Sequence, residues 1–344
     1  MEFLPFVEVR NTEKVVVVDS FFRGKSMLSH WRGAPRIAGI HDDTSTGIVL
    51  NAIKAGHPAC QYQYCSNNHF DIDGFLGIWA LLNPELALKH EAILREAALI
   101  GDFREWKPKN ETSQQALLLC IWINSLEREL FYEPFGEKNE AASCIPKYQY
   151  FLPRLQEYLF DPGKFKVEAY EEYFRILEDQ KMLEAEGRIE RLPDIGLQIV
   201  YVPAPLHYYV LFQESQAMEM VLSLYEGNRY ELEYKYTSWV DTAKRNFFPR
   251  ISFQKLANKL NEREESNYQW EYDSIMDTGP MLRLHKSGLS KAERYDHPYN
   301  RALYTSSIER EDFLNIVIDH YRTALSKLQR RTNWTWKEMR EVIT

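Results

Sequence analysis

The chain has 344 residues, 44% of them hydrophobic and 14% aromatic, enough apolar surface for two packed cores. Its net charge of −8 excludes stable duplex nucleic-acid binding through a broad basic face; an acidic protein that handles phosphate must borrow positive charge, usually from divalent cations. Met1–Pro5 lacks a basic leader, no window holds about 18 apolar residues, and Cys60, Cys65, Cys120 and Cys144 lack paired metal-ligand spacing, so a cytoplasmic protein without membrane contact is expected.

Lys14 to Val18 is a β-branched run that reads as a buried strand, with Asp19 at its carboxyl edge as a turn residue first and a site residue second. Ser29 to Pro35 is too turn-rich for a regular element. His41-Asp42-Asp43-Thr44-Ser45 then leads into a helix from Thr46 to Ala55, which Asp43 or Thr44 can cap and Gly56 can end. Capping uses one of these groups, which leaves the others available to a site. Ala59 to Cys65 is a second strand, Ser66 to Asp73 a polar loop, and Gly74 to Leu82 an apolar helix. Pro84 starts another helix that runs to Ile100-Gly101-Asp102.

The order predicts an α/β domain over residues 1–186, a doubly wound, mostly parallel sheet that binds ligands at the carboxyl ends of its strands. Helices are expected over Glu111 to Tyr132, Lys147 to Phe160 and Lys164 to Glu186. A smaller α+β substrate-binding domain, residues 187–344, follows. It should hold a strand from Leu197 to Val202 and a hairpin from Met218 to Tyr236 turning at Glu226-Gly227-Asn228-Arg229. In that hairpin's second arm Glu231, Glu233 and Lys235 mark a face open to water. A helix at Phe253 to Glu264, strands at Gln269 to Asp273 and Met281 to Leu284, and a long helix from Ile308 with a Ser306/Glu309 capping box complete it.

The chemistry concentrates in Asn67-Asn68-His69-Phe70-Asp71-Ile72-Asp73-Gly74. Asp71 and Asp73 can turn toward one cation if the backbone is a loop, Gly74 permits the bend, and His69 adds a nitrogen ligand. Oxygen-rich sets of this kind suit Mg2+ or Mn2+. The plain alternative is a helix cap, which needs one carboxylate.

This segment, entered from a strand and followed by an apolar helix, resembles the first motif of the DHH phosphoesterases, a superfamily of single-strand exonucleases, oligoribonucleases, cyclic-dinucleotide phosphodiesterases, exopolyphosphatases and pyrophosphatases. The resemblance implies that Asp71 and Asp73 hold two divalent cations, Mn2+ or Mg2+, and that Asp102 matches the second-motif aspartate that bridges them. The name-giving Asp-His-His triplet is absent; His41-Asp42-Asp43, upstream, with Asp42 and Asp43 as ligands, and Asp296-His297, far into the second half, are the nearest substitutes. As a whole the chain resembles a bacterial family bearing the His-Phe-Asp-Ile-Asp-Gly signature, which implies no substrate. Phe70-Asp71-Ile72-Asp73-Gly74 is also similar to the haloacid-dehalogenase phosphatase motif, with Asp71 as nucleophile and Asp73 as general acid.

The expected activity is therefore hydrolysis of a phosphoester or phosphoanhydride in a small phosphorylated substrate or short oligonucleotide. His69 and His41 are the acid–base candidates. Asn68, Arg32, Arg283, His285 and Lys286 are candidates for holding substrate. Oligomeric state stays open, a homodimer included. The competing expectation is a DHH-like binding protein without catalysis, in which Asp71 and Asp73 would pair with Arg or Lys.

Overall fold

A computed structural model describes residues 1–131, 139–235, 239–286, 293 and 296–342, except the side chains of 164–166, 168, 341 and 342. Tyr132, Tyr236, and Ser287 and Gly288 after Lys286 lie outside the described residues. The protein is mixed α/β and divides into two compact units, Met1–Phe174 with Asp241–Lys244 and Arg175–Val240 with Arg245–Thr344. The division falls inside a long helix, Pro162–Glu186. Among the described residues no helix is long and apolar enough to cross a membrane.

The first unit is built on a four-stranded parallel sheet of β1 (Glu2–Phe3), β2 (Val15–Val18), β3 (Ser26–Leu28) and β4 (Tyr64–Ser66), in the order β1–β4–β2–β3. Four valines make β2 a central strand, since β-branched chains buried on both faces are what a parallel sheet requires. The strand expected at Ala59 to Cys65 is shorter: Pro58 opens a 3-10 turn at Pro58–Gln61, and only Tyr64–Ser66 pairs. β3 is too short to carry a periodic signal and was not expected.

Helix α1 (Ser45–Lys54) begins at Thr44, whose hydroxyl accepts from the Gly47 N–H, and Gly56 follows its end at φ 61°. Helix α2 (Ile72–Leu82) begins two residues before the expected Gly74, with Asp71 as cap. The helix from Pro84 breaks at His90 into α3 (Pro84–Lys89) and α4 (Glu91–Phe103). α4 lies close against α2 at Gly101, where a Cβ would stand 2.7 Å from the Ile72 Cβ; that approach brings in Asp102. Helices α5 (Glu111–Phe131), α6 (Glu140–Phe160) and α7 (Pro162–Glu186) follow. Phe70 packs on Tyr148 and Phe151 of α6, anchoring the loop that carries His69 and Asp71.

The second unit is a six-stranded mixed sheet of β5 (Arg188–Leu192), β6 (Leu197–Tyr201), β7 (Met220–Tyr225), β8 (Arg229–Tyr234), β9 (Gln269–Tyr272) and β10 (Met281–His285), ordered β5–β6–β7–β8–β10–β9. Only β6 and β7 run parallel. The charged strand β5, at the sheet edge, lay unrecognised beside the preceding helix. Short α8 (Tyr208–Leu211) precedes β7; α9 (Gln254–Asn261) and α10 (Arg310–Leu325) pack on the apolar face through residues such as Leu256, Phe313 and Tyr321, and α11 (Trp336–Val342) ends the fold.

Two expectations fail here. The face of Glu231, Glu233 and Lys235 is buried, not wet. Period-2 alternation marks a second face but not what covers it, and Arg283 and Arg301 satisfy Glu231 inside. Nor does Ser306 form a capping box: its hydroxyl contacts Glu264 and accepts from the Ile308 N–H, and α10 is capped at Glu309 without a side-chain bond.

Candidate metal centre

The centre forms at the carboxyl end of β2. Asp19 follows Val18, is buried, and holds φ at 47°, a left-handed conformation that aspartate tolerates better than most residues. Its Oδ1 accepts from Ser45 Oγ at 2.7 Å and Trp31 Nε1 at 3.1 Å and lies 3.2 Å from His30 Nε2. Its Oδ2 lies 3.3 Å from His69 Nε2.

Around this carboxylate stand two ligand sets, Asp19–His30–Asp73 and Asp19–His69–Asp71, each with its ligand atoms within 4.8 Å of one another. The first is wholly buried and the second partly open. His30 is oriented by its Nδ1, 2.8 Å from the Asp43 carbonyl, and its Nε2 also lies 3.4 Å from Asp102 Oδ2. Asp73 sits over the start of α1 and accepts the Ser45 and Thr46 N–H groups at 2.7 Å each, so one helix terminus fixes the acid carried by another. Asp71 divides its oxygens: Oδ1 accepts the Gly74 N–H at 2.8 Å as the cap of α2, and Oδ2 faces His69 Nε2 at 3.3 Å. One Asp71 oxygen thus caps α2 and leaves the other beside His69.

Asn67 closes the back of the loop. It is fully buried, its Oδ1 accepts the Asn68 N–H at 2.7 Å, and its amide lies by the Tyr148 hydroxyl. A Cβ at Gly74 would lie 2.1 Å from Asn67 Nδ2, 2.9 Å from Asp71 Oδ1 and 3.1 Å from Asp19 Oδ2, which is why glycine is needed there.

Electrostatics follow from six titratable groups in one buried place. Burial opposes charge on Asp19, but hydrogen bonds from His30 and His69 outweigh it and hold its carboxyl below the usual range. Burial would depress His30; the hydrogen bond to Asp19 and the charges of Asp102, Asp19 and Asp73 win and push it up to about 10. Burial with the Asp19 charge raises Asp73 to about 7, and burial with the Asp73 charge raises Asp102. Among the described residues no Arg or Lys side chain contacts Asp19, Asp71, Asp73 or Asp102. Carboxylate oxygens and imidazole nitrogens form a donor set that could hold Mn2+ or Mg2+.

Of the residues expected at the site, His69, Asp71, Asp73 and Asp102 come together, although Asp19 and not Asp102 is common to both sets. Asn68 bonds His69 Nδ1 through Oδ1 at 2.7 Å and so orients an imidazole instead of facing substrate. Asp42 is in neither ligand set and pairs with Arg95 at 3.0 Å and Lys244 at 3.5 Å. Asp43 accepts the Ala243 and Lys244 N–H groups. Arg32 pairs with Asp241 at 3.2 Å, and exposed His41 lines with Arg36 a cleft that reaches His30. Arg283 and His285 are buried in the sheet of the second unit and bonded to each other, with Arg283 3.4 Å from Glu231; Lys286 is exposed.

Residues 67–70 separate β4 from Asp71, so no strand runs directly into that carboxylate. His30 was missed as a site residue because it stands in no motif, whereas Ser45, which donates to Asp19, belongs to the His41–Ser45 cluster that the sequence left available to a site. Asp19 had a signal, an acid ending a β-branched run.

No curated protein and no solved structure matches the chain. The profile of a family described as a family of unknown function, DUF6687, matches residues 1–332, and the chain belongs to that family.

Proposed function

We propose that the first unit is a metal-dependent hydrolase of phosphoester or phosphoanhydride bonds that works with two divalent cations, Mn2+ or Mg2+. The observation that carries this reading is Asp19, whose Oδ1 faces His30 in one three-ligand set and whose Oδ2 faces His69 in the other. A shared carboxylate between two sets is the arrangement a two-cation site needs. Bound cations supply Lewis acidity and a water acidic enough to attack near neutral pH. Hydrolysis then joins the water oxygen to phosphorus while the ester or anhydride oxygen leaves with a proton.

The protein's part is placement. Asp19, His30 and Asp73 would hold one cation beside Asp102, and Asp19, His69 and Asp71 would hold the other. Asp71 and Asp73 are met by His69 and by the backbone N–H groups of Gly74 and of the start of α1 rather than by Arg or Lys, which favours a cation site over a binding protein without catalysis.

We read the parallel sheet as the core of a doubly wound layer. β3 lies to one side of β2 and β4 to the other, so Asp19 stands where the strand order switches, the usual ligand crevice of such sheets. On this reading the likeness to DHH phosphoesterases extends beyond Asp71 and Asp73 to the whole site, with the ligand set rearranged along the chain. Substrates would be small phosphorylated molecules or short oligonucleotides, and four free thiols suit work in the reducing cytoplasm.

The test is metal content together with manganese-dependent hydrolysis of bis-p-nitrophenyl phosphate, on wild type and Asp71→Asn. Asparagine caps helices as well as aspartate does, so this variant removes a charge and spares the fold. Bound manganese and turnover falling together in the variant support the hydrolase. A folded wild type that takes up no metal and hydrolyses nothing overturns it.

A further inference from the structure

Directly after Asp19 the chain turns outward through Ser20-Phe21-Phe22-Arg23-Gly24-Lys25, and an open groove forms there between Phe21, Phe22, Arg23 and Lys25 on one side and Phe6 and Arg10 on the other. Its composition departs from that of an acidic protein. Arg10 and Arg23 are exposed, and among the described residues neither forms an ion pair; the Lys25 ammonium bonds only the Thr12 carbonyl, at 2.6 Å. Phe21 keeps 45% of its surface exposed, whereas Phe6 and Phe22 meet edge to face at 5.6 Å over the small core of Leu4, Val9, Val15, Val17 and Met27.

We infer that this groove binds a single-stranded oligonucleotide. The inference rests on the hydrolase reading for its substrate role and deepens it by naming the substrate class. Three cations without acidic partners match a phosphate chain, and the exposed Phe21 ring among them offers a base a surface to stack on, the combination by which single strands are held without sequence readout. Place supports it too. Phe21 stands two residues from Asp19, at most about 7 Å along the backbone. Its ring also reaches the turn that carries His30, since a Cβ at Gly33 would lie 3.9 Å from Phe21 Cε2. A base on Phe21 therefore leaves its neighbouring phosphate within reach of the Asp19 cluster.

The experiment uses the whole chain and a fluorescein-labelled oligothymidylate of about five nucleotides, close to the smallest site of a single-strand binder. Affinity is measured by anisotropy in a chelator, and turnover of the oligonucleotide and of bis-p-nitrophenyl phosphate with manganese, for wild type, Phe21→Ala and Arg10→Ala/Arg23→Ala. Phe21→Ala should weaken binding roughly tenfold, as loss of one stacking ring does. The double variant should reduce the salt slope by about 1.4, two phosphate contacts' worth for a single strand. In both, turnover of the oligonucleotide should fall relative to that of the small diester.

Manganese-dependent hydrolysis of the small diester with oligonucleotide affinity indifferent to all three substitutions would overturn the groove and leave the hydrolase standing. Variant-sensitive binding in chelator with no hydrolysis of either substrate would do the reverse. Variant-sensitive binding to phosphatidylserine vesicles, or a dimer that Phe21→Ala dissociates, with no affinity for the oligonucleotide, would also overturn the groove.

Discussion

The Asp19 cluster of the first unit and the Glu231 cluster of the second are both buried, yet they handle charge by opposite rules. Glu231 meets Arg301 at 3.2 Å and Arg283 at 3.4 Å and takes the Tyr225 hydroxyl at 3.1 Å, so each acid oxygen has a cation or donor of the protein's own. Four aspartates of the first cluster share two histidines and backbone N–H groups. Burying carboxylates together is costly unless something positive joins them. A cluster with its own counter-charges is complete as structure, whereas one with an acid excess calls for protons or metal.

The largest effect expected on that contrast is at Asp19. Asp19→Asn should weaken metal binding at both positions by more than the roughly 10- to 100-fold that outer-shell changes cost, and abolish turnover. Calorimetric titration with manganese checks this; one site lost and one kept would mean that Asp19 is not shared. Second comes Glu231→Gln, which leaves two buried arginines with a neutral partner and should cost about 3–5 kcal/mol of stability, read from urea unfolding, independent of metal. If that variant unfolds no more easily than wild type, the second cluster is not held by its own charge balance.

A smaller loss, roughly 1–3 kcal/mol, is expected for Gly74→Ala, because the new methyl would overlap Asn67 Nδ2 and crowd Asp71. Unlike Glu231→Gln it should lower metal affinity as well, and the same titration separates the two.

The smallest effect is on pH. His30 rises from 6.5 to about 10 on folding, so protonated His30 stabilises the metal-free protein fully below pH 6.5, and this contribution is lost as pH climbs through 10. Asp73, raised to about 7, acts in the same sense between its ordinary 3.8 and 7. Melting temperature in chelator should therefore fall from pH 6.5 to 10, and manganese should reverse the trend. A melting temperature that rises with pH in chelator would contradict the protonation of this cluster.

Much of the architecture was legible in residue order. The four valines of β2, the Thr44 cap, the apolar run of α2 and the turn at Gly227-Asn228, both at positive φ, carry local signals strong enough to name their elements. Edge elements were not: β3 has three residues and β5 is charged, so neither shows the period by which strands are recognised. In the site, Asp71 and Asp73 were readable because two acids and a histidine crowd one loop. His30 was not, since the turn around it has the composition of any surface turn.

Spacing and chemistry along the chain thus determined that an acidic loop precedes an apolar helix, and that the first half builds a parallel sheet. Only the tertiary structure decided which acids meet. Parallel strands β2 and β4 are neighbours in the sheet but distant in sequence, so Asp19 and the His69 loop converge at one carboxyl edge. The close approach at Gly101 adds Asp102 to the cluster, and the Asp43 carbonyl turns His30 inward. Other long-range contacts hold the side chains of Asp42, at Arg95, and of Asp43, at the Ala243 and Lys244 N–H groups. Local pattern measures what a residue prefers, whereas a ligand set depends on which preferences folding brings within a few ångströms.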